Sequence, residues 1–230
     1  MSFFSIILAR GGSKGIPDKN IIELKGKPLI SYSINASQNS KCDETWVSTD
    51  CNKIKNVAKS FGANVLDRPK EYATDTSTSE KALLHFCRNI MCEYVIFIQP
   101  TSPLLHYNDI NKGIELIQKN ICDSVISCYE EEWTGKWTYE PALASLKQTF
   151  RPSNYTRGDA SNNFSPTRTR RQDVEYPTYI ENGAFYISKR EGILKSQNRF
   201  HGKVDKVVMP FFRSFQIDTF EDLAFVEKII

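Results

Sequence analysis

No apolar run in this 230-residue sequence approaches the length of a membrane-spanning helix. The opening stretch Met1–Leu8 carries no basic residue, and its apolar run breaks at Arg10, so it makes a poor leader peptide and a cytoplasmic protein is expected. Net charge is only +3, too little to suggest nucleic acid or a membrane surface as partner, and any anion must be gripped locally. The six cysteines (Cys42, Cys51, Cys87, Cys92, Cys122 and Cys128) form no Cys-x-x-Cys pair, and the three histidines (His85, His106 and His201) lie at no zinc-ligand spacing. The cysteines therefore read as buried small hydrophobes of a reducing compartment, with no disulfide and no structural zinc. Two phosphate-binding signatures are missing as well. The ATPase pattern requires Gly-Lys followed by Ser or Thr, whereas the chain offers Gly15-Ile16 and Gly26-Lys27-Pro28. The dinucleotide fingerprint runs straight into a helix, but here Gly11, Gly12 and Gly15 are followed by Pro17 and an extended stretch.

What is present begins with that glycine-rich loop. It follows the apolar run Phe3–Leu8, a buried first strand by pattern, and gathers Arg10, Gly11, Gly12, Ser13, Lys14, Gly15, Lys19 and Asn20 at the strand's exit. Glycines let a backbone approach a ligand closely, and successive N–H groups in such a turn form an anion-binding concavity. A polyphosphate is the natural guest. Further on, Pro28–Ala36 reads as a helix with Pro at its first position, Thr45–Ser48 as a strand, and Ile54, Val57, Ala58 and Phe61 as one helix face capped by Gly62. Ala63–Leu66 is a strand, and Ser77-Thr78-Ser79-Glu80 has capping-box spacing ahead of a helix. Tyr94–Ile98, continuously apolar, is expected at the centre of the sheet, covered on both faces, and it stops at Gln99-Pro100-Thr101-Ser102-Pro103. A helix near Asn108–Asn120 and strands at Ser124–Cys128, Ala184–Ile187 and Lys206–Met209 follow, with a closing helix over Asp222–Ile230. Alternating strands and helices predict an α/β fold with a mostly parallel sheet, whose ligand lies beyond the carboxyl ends of the strands. Residues 133–178 lack periodicity yet carry aromatics. They read as an inserted arm, leaving 1–132 and 179–230 as the α/β domain.

Taken in order, Leu8–Gly15, Lys19-Asn20, Gly26–Ile30, Val47–Asp50, Arg68-Pro69, Gln99–Pro103, Asn182-Gly183-Ala184 and Ile217-Asp218 resemble the acylneuraminate cytidylyltransferases, or CMP-sialic acid synthetases. The resemblance implies a Rossmann-like three-layer α/β/α fold of the nucleotide-diphospho-sugar transferase type, with an extended dimerisation arm. It also implies CTP and a nine-carbon 2-keto sugar acid as substrates, Mg²⁺ as cofactor and a homodimer. Residue by residue, it gives Arg10, Gly11, Gly12, Ser13, Lys14 and Asn20 to the phosphates and ribose, and Arg68, Ser77 and Ser79 to the surroundings of the cytosine. Gln99 falls between nucleotide and sugar acid, Asn182 and Tyr186 on the sugar acid, and Lys136 and Arg171 of the arm in the neighbouring subunit's site. Arg10, Lys14 and Asp218 are the catalytic set, with Asp218 on the metal.

The sequence departs from the family in one place. Where the family has Asp-Ile-Asp, this chain has Gln216-Ile217-Asp218, so the metal site loses one unit of negative charge and should hold a hard cation less tightly. Either the triphosphate supplies the other oxygens, or a second carboxylate such as Asp222 or Asp50 comes in. The reaction implied is in-line attack of the anomeric hydroxyl on the α-phosphorus of CTP, which asks the protein for positioning and charge neutralisation. Rival readings are a cytidylyltransferase for an eight-carbon acid, another sugar nucleotidyltransferase, and a nucleotide-binding protein that has lost catalysis.

Overall fold

The computed structural model describes residues 1–131 and 178–230, and its organising element is a sheet with both faces covered. The strands are β1 (Phe3–Leu8), β2 (Glu23–Leu24), β3 (Lys27–Pro28), β4 (Glu44–Thr49), β5 (Asn64–Asp67), β6 (Tyr94–Ile98), β7 (Ser124–Glu131), β8 (Thr178–Lys189) and β9 (Val204–Val208). Seven of them form one sheet in the order β5-β4-β1-β6-β8-β7-β9, while β2 and β3 make a small antiparallel hairpin. Strands β5, β4, β1 and β6 are parallel, β8 runs antiparallel to β6, and β7 pairs in parallel with β9.

Side chains alternate across the sheet with the strand's period of two. From β1, Phe3 and Ile7 enter one apolar cluster and Ile6 the other; from β6, Ile96 and Ile98 enter the first and Val95 and Phe97 the second. The first cluster is closed by α1 (Leu29–Gln38), α2 (Asn52–Ser60) and α4 (Tyr107–Gln118), through Ile30, Ile34, Ile54, Ile110 and Ile114. The second is closed by α3 (Ser79–Asn89) and α5 (Arg190–Ser196), through Leu83, Phe86, Cys87 and Ile193. Helix, sheet and helix give the expected three layers. All five residues of β6 are buried, and β6 occupies the middle of the seven strands, as its unbroken apolar run predicts. A third, smaller cluster gathers Ile16, Leu24, Leu29, Ile217 and Val226, joining the glycine-rich loop to the last helix, α6 (Phe220–Ile229).

Several local expectations are corrected. Pro28 is the residue before α1, not its first, because it pairs with Glu23 in the hairpin and keeps an extended ψ of 136°. The Ser77–Glu80 capping box does not form: Thr78 precedes α3 without a side-chain cap, and Glu80 is drawn away by Arg199, whose Nε donates to Oε1 at 2.7 Å. Capping boxes form instead at His106 with Asp109 and at Thr219 with Asp222. Strand β8 is far longer than Ala184–Ile187 and takes in Asn182 and Gly183. Cys87 and Cys128 are buried, whereas Cys42, Cys51, Cys92 and Cys122 are only partly so. The region 1–130 with 179–230 is one compact unit. The arm expected at 133–178, with Lys136 and Arg171, lies outside the described residues apart from Thr178, which opens β8. Among the described residues no helix is long and apolar enough to cross a membrane.

Candidate active site

Parallel pairing brings the carboxyl ends of β1, β4 and β6 to one edge: Leu8 lies opposite Ser48, and Ile7 opposite Ile98. The loop after β1 is fixed at both ends by its own polar groups. Gly11 N donates to Asp50 Oδ1 at 2.9 Å, and the buried Asn20 returns Nδ2 to the carbonyl of Arg10 at 2.9 Å. Ser13 N donates to the Gly11 carbonyl at 3.2 Å, while Gly12 and Lys14 face solvent. Gly15 is needed for packing, since a Cβ there would lie 2.8 Å from the carbonyl oxygen of Asp218. Ile217 N in turn donates to the carbonyl of Thr101 at 2.8 Å. The loop at 10–20, the loop at 99–103 and the segment 216–218 thus meet at one place.

Charge at this place is arranged in pairs. Arg10 Nη1 lies 2.9 Å from Asp75 Oδ1 and Lys14 Nζ 2.8 Å from Asp75 Oδ2. Lys19 Nζ lies 2.7 Å from Asp218 Oδ1, with the Lys19 side chain 17% exposed and Asp218 65%. Asp75 has no role in the sequence reading, and Lys19 is read there only as one of the loop's cations. Lys19 stood in the loop beside Asn20, but its partner is a distant residue in sequence, and no local spacing reveals it. Arg68 is buried, donating Nε to Ser48 Oγ at 3.0 Å and Nη2 to the Ser48 carbonyl at 2.6 Å. Burial pulls its pKa down to about 10, with nearby Asp50 opposing and Arg10 assisting, so it remains a cation at neutral pH. It lines a concavity of about 270 Å³ together with Asp50, Lys55 and Lys70. Ser77 Oγ, on the segment just before α3, is buried with no hydrogen-bond partner among the described residues, and Ser79 is exposed in the first turn of α3. An unpartnered buried hydroxyl is the kind of group a ligand satisfies.

The second wall is built on β8. Gly183 has φ of +69°, a conformation that favours glycine, and a Cβ there would lie 2.5 Å from Gln216 Nε2 and 3.5 Å from Gln99 Nε2. The two glutamine side chains therefore lie close to the same backbone position. Gln216 donates Nε2 to the Asn182 carbonyl and accepts from Thr101 Oγ1 at 3.4 Å. Asn182 is buried and donates Nδ2 to Ser214 Oγ at 2.9 Å, so its side chain holds the strand to the segment after β9. Tyr186 is buried, stacks on Phe97 at 5.6 Å, and gives its hydroxyl to Glu181. The guanidinium of Arg199 covers both rings, at 5.4 Å from Phe97 and 4.9 Å from Tyr186, and pairs with Glu80. Burial, followed by the contact with Glu181, pushes the Tyr186 phenol well above its ordinary pKa.

The protein's own donors fit a metal only in part. Among the described residues no group of three or more His, Cys, Asp or Glu side chains could hold an ion. Asp222 Oδ2 accepts from Asp218 N, Thr219 N and Thr219 Oγ1, at 3.0, 2.8 and 2.9 Å, as the carboxylate of the α6 capping box, and Asp50 is engaged with Gly11. Asp218 faces the loop through its pair with Lys19, and Gln216, next but one before it in the chain, is neutral. Mg²⁺ characteristically binds through one or two carboxylates plus substrate phosphates, so this donor set fits an ion that arrives with a triphosphate.

Comparison with known proteins gives a consistent picture. The sequence matches the family model described as Cytidylyltransferase over residues 4–229. It is 35% identical to N-acylneuraminate cytidylyltransferase B of Danio rerio over 97% of this chain and 50% of that one. It is 32% identical to CMP-N,N'-diacetyllegionaminic acid synthase of Legionella pneumophila over 100% of this chain and 97% of that one. The chain thus spans about half the length of the Danio rerio relative and nearly all of the Legionella one. In structure it is similar to a CMP:2-keto-3-deoxy-manno-octonic acid synthetase complexed with CTP, with TM-score 0.70 and 17% identity over 100% of this chain and 98% of that one. It is also similar to a 4-diphosphocytidyl-2C-methyl-D-erythritol synthase from Anaerococcus prevotii, with TM-score 0.68 and 15% identity over 99% and 97% of the two chains. At these identities the structural likeness establishes the fold alone.

Proposed function

The chain belongs to the cytidylyltransferase family, and from that premise we propose that it transfers CMP from CTP to the anomeric hydroxyl of a nine-carbon 2-keto sugar acid, releasing pyrophosphate. The observation that carries this reading is the meeting of the 10–20 loop, the 99–103 loop and Asp218 at one sheet edge, fastened by the Gly15–Asp218 contact and the Lys19–Asp218 pair. Two relatives above 30% identity are named for the cytidylylation of acids of this kind, which favours a nine-carbon acid over an eight-carbon one.

In this reading Arg10, Lys14 and Lys19 offset the negative charge of the triphosphate, and the backbone of Gly11, Gly12 and Ser13 follows the phosphate chain. Asp218 would hold Mg²⁺ carried in by the nucleotide. When bound, that ion neutralises phosphate charge and fixes the phosphate oxygens for in-line displacement. Arg68, Ser77 and Ser79 surround the cytosine, with the unpartnered Ser77 hydroxyl free to bond the base. Gln99 lies between nucleotide and acceptor, and Asn182 and Tyr186 form the acceptor's wall. A homodimer, with Lys136 and Arg171 reaching the neighbouring site, and a cytoplasmic location where CTP is available, belong to the same proposal. The test is pyrophosphate release from CTP, UTP and GTP with Mg²⁺ and a panel of sialic, legionaminic, pseudaminic and eight-carbon acids. Release with CTP and a nine-carbon acid is expected. Turnover only with the eight-carbon acid would move the assignment to that branch, and tight CTP binding without any turnover would make the protein a nucleotide binder.

A further inference from the structure

Two of the three cations assigned to the triphosphate, Arg10 and Lys14, share one carboxylate in this structure. Each oxygen of the Asp75 carboxylate takes one of them, Oδ1 the Arg10 guanidinium at 2.9 Å and Oδ2 the Lys14 ammonium at 2.8 Å. Arg10 Nη1 also reaches the carbonyl of Ala73 at 3.4 Å, so the segment carrying Asp75 is drawn over the phosphate loop at two points. The hydrogen bond from Lys14, with Arg10 adding to it, holds the Asp75 carboxyl below the usual carboxylate range. Lys14 is 77% exposed and Asp75 44%, so these pairs sit in water and are individually weak. A triphosphate approaching the loop therefore meets two cations that already share one carboxylate, which offsets one of their two charges, and it carries more charge than the group it must replace.

We propose that Asp75 is an internal substitute for the nucleotide's phosphates: it holds Arg10 and Lys14 in the free protein and is displaced when a polyphosphate binds. Two consequences follow from its bridging both cations. Asp75 lowers affinity for the nucleotide, and it favours ligands that offer charged oxygens to both cations at once over a monophosphate that reaches one. The inference rests on the nucleotide reading of this loop.

Titration calorimetry of inorganic triphosphate, CTP and CMP against wild type, Asp75→Asn and Asp18→Asn tests it. Asp18 makes a suitable control: it pairs with Lys53 at 2.9 Å on the same loop, and its left-handed φ of 50° is one that Asn tolerates. Asp75→Asn is expected to bind triphosphate and CTP roughly three- to tenfold tighter, with CMP and the Asp18→Asn protein within about twofold of the original values. Binding by Asp75→Asn that is unchanged or weaker would overturn the proposal and make Asp75 a support that aims the cations. An equal gain in Asp18→Asn would overturn it in favour of net charge. If wild type binds neither CTP nor triphosphate, the nucleotide reading falls and takes this inference with it. If wild type binds CTP and Asp75→Asn gains nothing, the inference alone falls.

Discussion

Two arginine–carboxylate arrangements in this molecule use the same chemistry to opposite ends. Arg213 grips Asp109 through both guanidinium nitrogens, one contact at 3.0 Å, and the Asp109 side chain is 1% exposed while also capping α4. Arg10 grips Asp75 from a side chain 31% exposed, and shares that carboxylate with Lys14. In the first pair the carboxylate is shut away from water between the segment after β9 and the first turn of α4, so the pair holds the two together. The second is wet and replaceable. A buried pair is costly to break because the surviving charge has nowhere to go, whereas an exposed pair gives way to water or to a better ion. Exposure separates an ion pair that serves the fold from one that can serve a ligand.

The largest expected effect strikes the buried member of the comparison. Arg213→Ala strands the Asp109 carboxylate and should cost about 3–5 kcal/mol in urea unfolding. Lys14→Ala should shift the same unfolding curve by less than about 0.5 kcal/mol, and equal losses would erase the distinction. Next in size is catalysis. Lys14→Ala and Lys19→Ala should each lower turnover on the order of 10²- to 10³-fold, the usual cost of removing one group that stabilises developing charge. Wild-type turnover in Lys14→Ala would sink the role given to the loop. A smaller change is expected from Gln216→Asp, which restores a carboxylate beside Asp218 and should lower the Mg²⁺ concentration for half-maximal rate several-fold. No shift would place position 216 away from the ion.

The smallest effect lies at the cap beneath Asp218. Asp222→Ala should destabilise the fold by about 1 kcal/mol at neutral pH, the value of a helix N-terminal cap. Burial acts to raise the Asp222 pKa, but hydrogen bonds from Asp218 N, Thr219 N and the Thr219 hydroxyl outweigh it, leaving the carboxyl below the usual range. That stabilisation is complete above the unfolded carboxylate pKa of about 4 and is lost as pH falls through the lower folded value. Chemical unfolding at neutral pH and in strong acid should therefore show the gap between wild type and Asp222→Ala shrinking in acid.

Much of the fold is legible in single stretches. The all-apolar Tyr94–Ile98 and the spaced Leu83, Phe86 and Cys87 state their strand and their helix face directly, because burial on two sides or one leaves a period in the residues. Strand β8 is less legible. Its legible part is Ala184–Ile187, whereas the strand begins at Thr178 and runs through Glu181, Asn182 and a Gly183 of positive φ, residues that carry no strand pattern of their own. The Ser77–Glu80 pattern fails for a similar reason: Glu80 has a stronger partner in Arg199, which no local window contains.

The sequence by itself determined the glycine-rich loop, the alternation that makes a parallel sheet, the residues that resemble the family, and the glutamine at position 216. These are properties of neighbouring residues, and backbone freedom, periodicity and charge are written into short stretches. The tertiary structure alone decided which charges face each other. Lys19 meets Asp218 and Asp75 takes both Arg10 and Lys14 because the sheet brings separate loops to one edge, and electrostatic attraction depends on distance through space rather than along the chain.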